Sequence, residues 1–187
     1  MPALSVQEAA TLISCRSFET ALDCSNRFIA AVSESGVAVA IDEKRRWETV
    51  LEFLFVFIHL SDRWAFEKLG LLRRDSFMDF LADSAAHSMA SLLESTRGVD
   101  SAWREDIKSV FISDLNVRTI EYSKCRKVIS DKETQGMQGV LLWEFGKRLA
   151  ERLGHPMDGY LISLAYIKAV TGLRLLDLEG VFKDIEE

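Results

Sequence analysis

From Val50 to Leu60 the chain reads VLEFLFVFIHL, apolar at every position except Glu52 and His59. This run lies inside a longer helical stretch, Trp47 to Leu69, set between Asp42 and Gly70. A helix that is apolar nearly all round is touched on several sides, so this one belongs at the centre of a bundle. Its polar exceptions fall on one line. At about 100° per residue, Glu52 and His59 are separated by about 700°, within about 20° of eclipsed. Arg63 follows on nearly the same line, with Asp62 beside it. The central helix therefore carries one polar stripe, and Glu52, His59, Asp62 and Arg63 are candidate ligand-binding residues.

The remainder of the chain can supply the surrounding helices. Its 187 residues fit one domain, and with 48% hydrophobic and 28% charged residues it can build a sizeable core. Only 2 prolines and 10 glycines interrupt it, and no strands separated by turn signals are visible. The expected fold is all-α, a single-domain helical bundle of five to seven helices over residues 1–187. Residues 1–35 form an N-terminal helix, an arm that packs on the bundle or on a partner subunit.

Charge and cysteine usage narrow the functional classes. A net charge of −6 disfavours nucleic-acid binding, which needs a basic face. The basic clusters Lys44-Arg45-Arg46, Arg73-Arg74 and Lys124/Arg126/Lys127 are short or have acidic neighbours, and read as solvated helix faces. Val50–Leu60 covers about half the length a bilayer needs, and residues 1–30 lack a basic start followed by an apolar block. A soluble protein with no membrane partner is expected. Cys15, Cys24 and Cys125 show no metal-ligand spacing. On one continuous helix Cys15 and Cys24 face opposite ways and cannot bond each other. Reduced thiols in the cytoplasm are the expectation. No phosphate loop, nucleophile elbow or metal-binding helix signature is present, so no metal and no cofactor is expected.

Local signals place the helices. Ser5-Val-Gln-Glu8 has capping-box form and opens a helix to about Ser33 or Ser35, with Gly36 as terminator. Val6, Ala10, Ile13, Ser17, Ala21, Cys24 and Phe28 give it a face of mostly small residues. Residues 36–41 are an apolar link, either extended or helical. Asp42 caps the central helix and Gly70 ends it; Asp75 caps the next helix, from Ser76 to about Ser95, with Phe77, Leu81, Ala85 and Leu92 inward. After a loop at 96–100, a helix runs to about Ser130, with Ile107, Phe111, Leu115, Tyr122, Cys125 and Ile129 in one stripe. Residues 130–136 read as a connection. Val140–Leu153 is amphipathic and ends at Gly154. His155-Pro156 starts another helix, apolar over Leu161–Val170 and broken at Thr171-Gly172, and a short helix covers Leu175–Ile185.

The remaining constellations are weaker. Arg118 is a charge in an otherwise apolar stripe, flanked by Asp114 and Glu121. It can pair across the bundle with Glu52, or belong to a surface network. Asp83 and His87 form an i, i+4 pair on a solvated face with Asp79 and Ser91. His155-Pro-Met-Asp158-Gly-Tyr160 resembles, over six residues, the Pro-x-Asp-His signature of the redox-enzyme maturation chaperones. Gly159 stands where that family has His, and Pro156 and Asp158 equally suit a plain helix start. The resemblance implies a chaperone-like binder of a protein partner. The aromatics Trp47, Phe53, Phe55, Phe57, Trp64 and Phe66 line either an apolar ligand pocket or a core and subunit interface.

Two functions are compatible with these residues. The first is a non-catalytic cytoplasmic protein that acts by binding or self-association, a homodimer taking a protein partner or a small apolar ligand. The second is a metal- or small-ligand-binding protein, or an enzyme, using Glu52, His59, Asp62, Arg63 and Arg118. Whether the chain is an enzyme stays open at this level.

Overall fold

The computed structural model describes residues 3–97, 100, 103–129 and 139–185. Among them the fold is all-α, with six helices: α1 (Val6–Glu34), α2 (Glu43–Arg97), α3 (Arg104–Tyr122), α4 (Leu141–Arg152), α5 (Gly159–Leu176) and α6 (Leu178–Lys183). Extended pairing among the described residues is limited to two isolated bridges, Leu4 with Ile185 and Lys127 with Val140. No helix among the described residues is long and apolar enough to cross a membrane.

The sequence VQEAATLISCRSF explains how α1 starts and what it packs on. Ser5 accepts from the Glu8 backbone N–H and the Glu8 carboxylate takes the Ser5 N–H, a complete capping box. The buried face of α1 includes Ala10, Ser14, Ser17 and Ala21, side chains small enough to bring its axis close to α2. Cys15 is exposed and Cys24 buried, on opposite sides as their spacing requires, and all three thiols are free. Gly36 follows the helix with φ +75°, and residues 37–42 are a link without regular secondary structure, tightened where the Val39 N–H donates to Val37 O at 2.8 Å.

The centre of the molecule is the first limb of α2, residues 43–69. Asp42 caps it, accepting from the Arg45 N–H at 2.8 Å. Phe53, Leu54, Val56, Phe57 and Ile58 are wholly buried, touched by α1 on one side and by α3 and α4 on others. Phe53 meets Phe28 of α1 at 6.2 Å and Phe145 of α4 at 4.9 Å, both edge-on. Each such ring contributes roughly 1.5–3 kcal/mol by leaving water.

At Gly70 the backbone takes φ 71°, ψ 173°, a conformation closed to residues with a Cβ. The chain reverses there, and residues 71–97 return antiparallel as the second limb. The reversal is visible in two contacts. Arg74 reaches Asp62 with Nε–Oδ1 2.6 Å and Nη2–Oδ2 2.9 Å, and Met89 and Leu93 face the same cavity as Trp47, Leu51 and Phe55. The expectation that Asp75 caps a fresh helix from Ser76 is corrected: the second limb resumes directly after Gly70, and Arg74 takes the Asp75 carboxylate.

Three other boundaries differ from the sequence reading. The helix expected to reach about Ser130 ends at Tyr122, leaving Ile129 exposed. Residues 123–129 peel away because their carbonyls serve α4. Val140 offers α4 no side-chain cap, and the Leu141 and Leu142 N–H groups bond Lys127 O (2.8 Å) and Val128 O (3.1 Å) instead. The next helix starts at Gly159 rather than at Pro156, with Asp158 accepting from the Leu161 N–H. The expected break at Thr171-Gly172 is absent: α5 continues to Leu176. Gly172 is a packing residue there, since a Cβ would run into the Phe57 ring and lie 2.9 Å from Cys24 Sγ. The connection expected at 130–136 lies outside the described residues.

Candidate functional site

The polar stripe of α2 separates into three assemblies. Glu52, 2% exposed, is held from α3 and α4. Its Oε1 accepts from Arg118 Nε at 3.0 Å and Nη2 at 2.9 Å, and its Oε2 accepts from the Tyr122 hydroxyl at 3.3 Å. Arg118 also donates to Glu121 at 3.1 Å, and Glu121 meets Arg148 at 2.5 Å. Burial works against the Arg118 charge, but Glu52 and Glu121 outweigh it and hold the guanidinium above its ordinary value. The Tyr122 phenol is pushed well up by burial and by the Glu52 anion. Glu121 is held below the ordinary carboxylate range because Arg148 and Arg118 overcome its burial. The cross-bundle pairing of Glu52 with Arg118 is thus present, embedded in a wider charge network.

His59 and Arg63 form the second assembly. Arg63 Nε donates to His59 Nε2 at 3.0 Å, while its Nη2 donates to the carbonyls of Tyr122 (3.1 Å) and Cys125 (2.5 Å). Arg63 therefore ties α2 to the turn that follows α3, sharing the Tyr122 carbonyl with the Cys125 N–H (3.0 Å) and taking the Cys125 carbonyl as well. Because His59 Nε2 is the acceptor, the proton of the neutral ring belongs on Nδ1. That nitrogen is buried without a hydrogen-bond partner among the described residues. Burial, reinforced by the Arg63 cation, pushes the His59 imidazole down to about 4. The third assembly is Asp62 with Arg74, the two-point clamp across the Gly70 reversal.

These residues do not converge on one vacant space. Each ion of the stripe meets a counter-ion or carbonyl of the same chain. Among the described residues, no group of three or more His, Cys, Asp or Glu is placed to hold a metal ion. The Asp83/His87 face is likewise engaged: Asp83 meets Lys108 at 3.4 Å, and Arg104 lies against His87 while binding Glu94. Asp158, in the segment resembling a chaperone signature, is the N-cap of α5.

A different space is open. Between the two limbs of α2 and the N-terminal half of α3 lies a groove of about 490 Å³. Trp47, Leu51 and Phe55 form one wall, Met89 and Leu93 the second, and Ile107, Val110 and Phe111 the third, with Trp103, Asp106 and Asp114 completing it. Phe55 and Phe111 meet across it at 5.4 Å. Of the six aromatics singled out from the sequence, Trp47 and Phe55 line this groove. Phe53 and Phe57 are core residues, Trp64 stacks on Phe182 of α6, and Phe66 is exposed. From α3 the groove takes Ile107 and Phe111 of the inward stripe together with Val110, which lies outside that stripe.

Compared with known proteins, the chain matches no family model, no curated protein and no solved structure.

Proposed function

We propose that this protein is a non-catalytic binding module of the cytoplasm whose working surface is the groove between α2 and α3, and whose guest is apolar. The observation that carries this reading is the contrast in occupancy. The polar stripe is consumed by internal pairs, whereas nine apolar residues from three chain segments surround a volume of about 490 Å³ that no side chain of the described residues fills. That volume lies within the roughly 300–1,000 Å³ typical of small-ligand sites. The odd count of three cysteines, with Cys15 and Cys24 on opposite faces of one helix, supports a reducing compartment.

The test is calorimetric titration of the full chain with a neutral single-chain amphiphile below its micelle concentration. Val110 is 62% exposed, so Val110→Trp fills the groove from its rim without disturbing the core. Saturable binding to the parent and loss of at least tenfold in Val110→Trp support the groove reading. Equal binding to both proteins overturns it.

A second reading, self-association as a homodimer, is favoured by Trp103, Val110, Val117 and Ile120, which leave α3 with an outward row about half exposed or more. Light scattering over a hundredfold concentration range decides it. A dimer that Val117→Lys dissociates supports it, and a strict monomer sinks it.

A further inference from the structure

We propose that the groove selects a lipophilic cation, with the apolar body against Leu51, Phe55 and Phe111 and the positive nitrogen at the mouth beside Asp106 and Asp114. The inference rests on the groove reading above and adds the charge of the guest.

It begins with the lining. Of the described residues that bound the groove, two are acidic and none is Lys or Arg. Both acids belong to α3, eight residues apart, hence about 12 Å along the axis. With Val110 midway they form one i, i+4, i+8 row. Ile107 and Phe111 form the adjacent row. The helix thus presents an apolar floor with an acidic edge running beside it.

The isolation of these carboxylates is the second observation. Neither Asp106 nor Asp114 has an ion pair or hydrogen bond among the described residues, whereas the acids around them are engaged. Glu105 and Asp83 meet Lys108, Glu94 holds Arg104, and Glu121 holds Arg118 and Arg148. Three cations of α3, Arg104, Lys108 and Arg118, are therefore drawn to partners off the groove. Asp106, in the first turn of its helix, is also favoured by the helix dipole. Asp114, in the third turn, has no such local reason.

The physical consequence is selectivity by sign. An anionic headgroup at this mouth meets two unmatched carboxylates beside a low-dielectric wall, while a cation gains both of them. Trp103, more than half exposed at the same mouth, adds an aromatic face of the kind that attracts alkylated ammonium. The chain's net charge of −6 favours approach of the same sign of guest.

The experiment compares three amphiphiles that share a dodecyl tail: dodecyltrimethylammonium, the near-isosteric but uncharged dodecyldimethylamine oxide, and dodecyl sulfate. Each is titrated below its micelle concentration into the full chain at pH 7.5, with circular dichroism monitoring the fold. The expected order is ammonium over amine oxide by about tenfold, the gain of two exposed ion pairs, with the sulfate weakest. In Asp106→Asn/Asp114→Asn the ammonium falls to the amine-oxide affinity and the amine oxide is unchanged. Raising salt from 50 to 300 mM narrows the preference in the parent and not in the variant. Equal affinities for ammonium and amine oxide, both lost in Val110→Trp, overturn the cation inference and leave the groove reading standing. Affinities indifferent to Val110→Trp, or no binding at all, overturn both.

Discussion

Arg118 and Asp114 stand one turn apart on α3 and meet opposite conditions. Arg118 is buried and answered on two sides, by Glu52 across the bundle and by Glu121 along its own helix. Asp114 lies at the edge of the apolar groove, exposed and unmatched among the described residues. The difference follows from solvation. An ion taken out of water must be met by its own chain or the fold loses several kcal/mol, so its binding capacity is spent in folding. An ion at a wet edge costs the fold nothing if left alone, and stays available to a guest. The residues that look most like a site in the sequence are the interior ones, because a charge in an apolar run stands out. The residues with capacity left are those at the edge.

The sharpest way to break this comparison is Glu52→Gln. It leaves Arg118 with only Glu121 as its counter-ion, and we expect a loss of about 2 kcal/mol in chemical denaturation, below the roughly 3–5 kcal/mol for a buried charge left wholly unpaired. Amphiphile binding at 25 °C is expected to be unchanged. A fully stable variant that no longer binds the guest would move Glu52 from the scaffold to the site.

A second test uses acid. His59 titrates near 4 in the folded chain against 6.5 when free. As the pH falls through 6.5 the unfolded chain takes up a proton that the folded chain refuses. Stability is therefore lost between about pH 6.5 and 4, by up to about 3 kcal/mol, and levels off below that. His59→Gln keeps an acceptor for Arg63, and its stability plotted against pH is expected to be flatter over that window. Parallel curves for the two proteins would contradict a buried neutral imidazole.

Gly70→Ala addresses the reversal that brings the groove walls together. No atom crowds a Cβ at that position, so the cost is purely conformational, about 1–3 kcal/mol in thermal or chemical unfolding. The smallest expected effect is that of Asp114→Asn, within about 0.5 kcal/mol of parent stability, with the preference for a cationic amphiphile reduced. A large destabilisation there would show that the carboxylate belongs to the folded network after all.

How far these features were legible in the sequence depended on how many chain segments each needs. The capping box at Ser5 and Glu8, the Asp42 cap and the amphipathic α4 are local, and periodicity with side-chain chemistry suffices for them. The pairing of Glu52 with Arg118 spans 66 residues, yet it is readable because each is a lone charge in an apolar stripe and a buried ion needs an opposite. The role of Arg63 was hidden. It binds carbonyls at the end of α3, and that end depends on residues 127 and 128 leaving to serve α4. The continuation of α5 through Gly172 was hidden for a related reason, since the glycine answers to Phe57 and Cys24 on other helices. The groove combines three segments and exists only once the chain reverses at Gly70. The isolation of Asp106 and Asp114 is visible only when the partners of Arg104 and Lys108 are known.

The reversal at Gly70 also orders events in time. Its clamp joins Asp62 and Arg74, twelve residues apart, a contact of low sequence separation of the kind that forms without long-range chain closure. The hairpin of α2 can therefore assemble from local contacts early, carrying Trp47, Leu51, Phe55, Met89 and Leu93 on one side. Until α3 docks, that apolar wall faces water along its length. The interval before docking is when a nascent chain of this kind is most prone to aggregate.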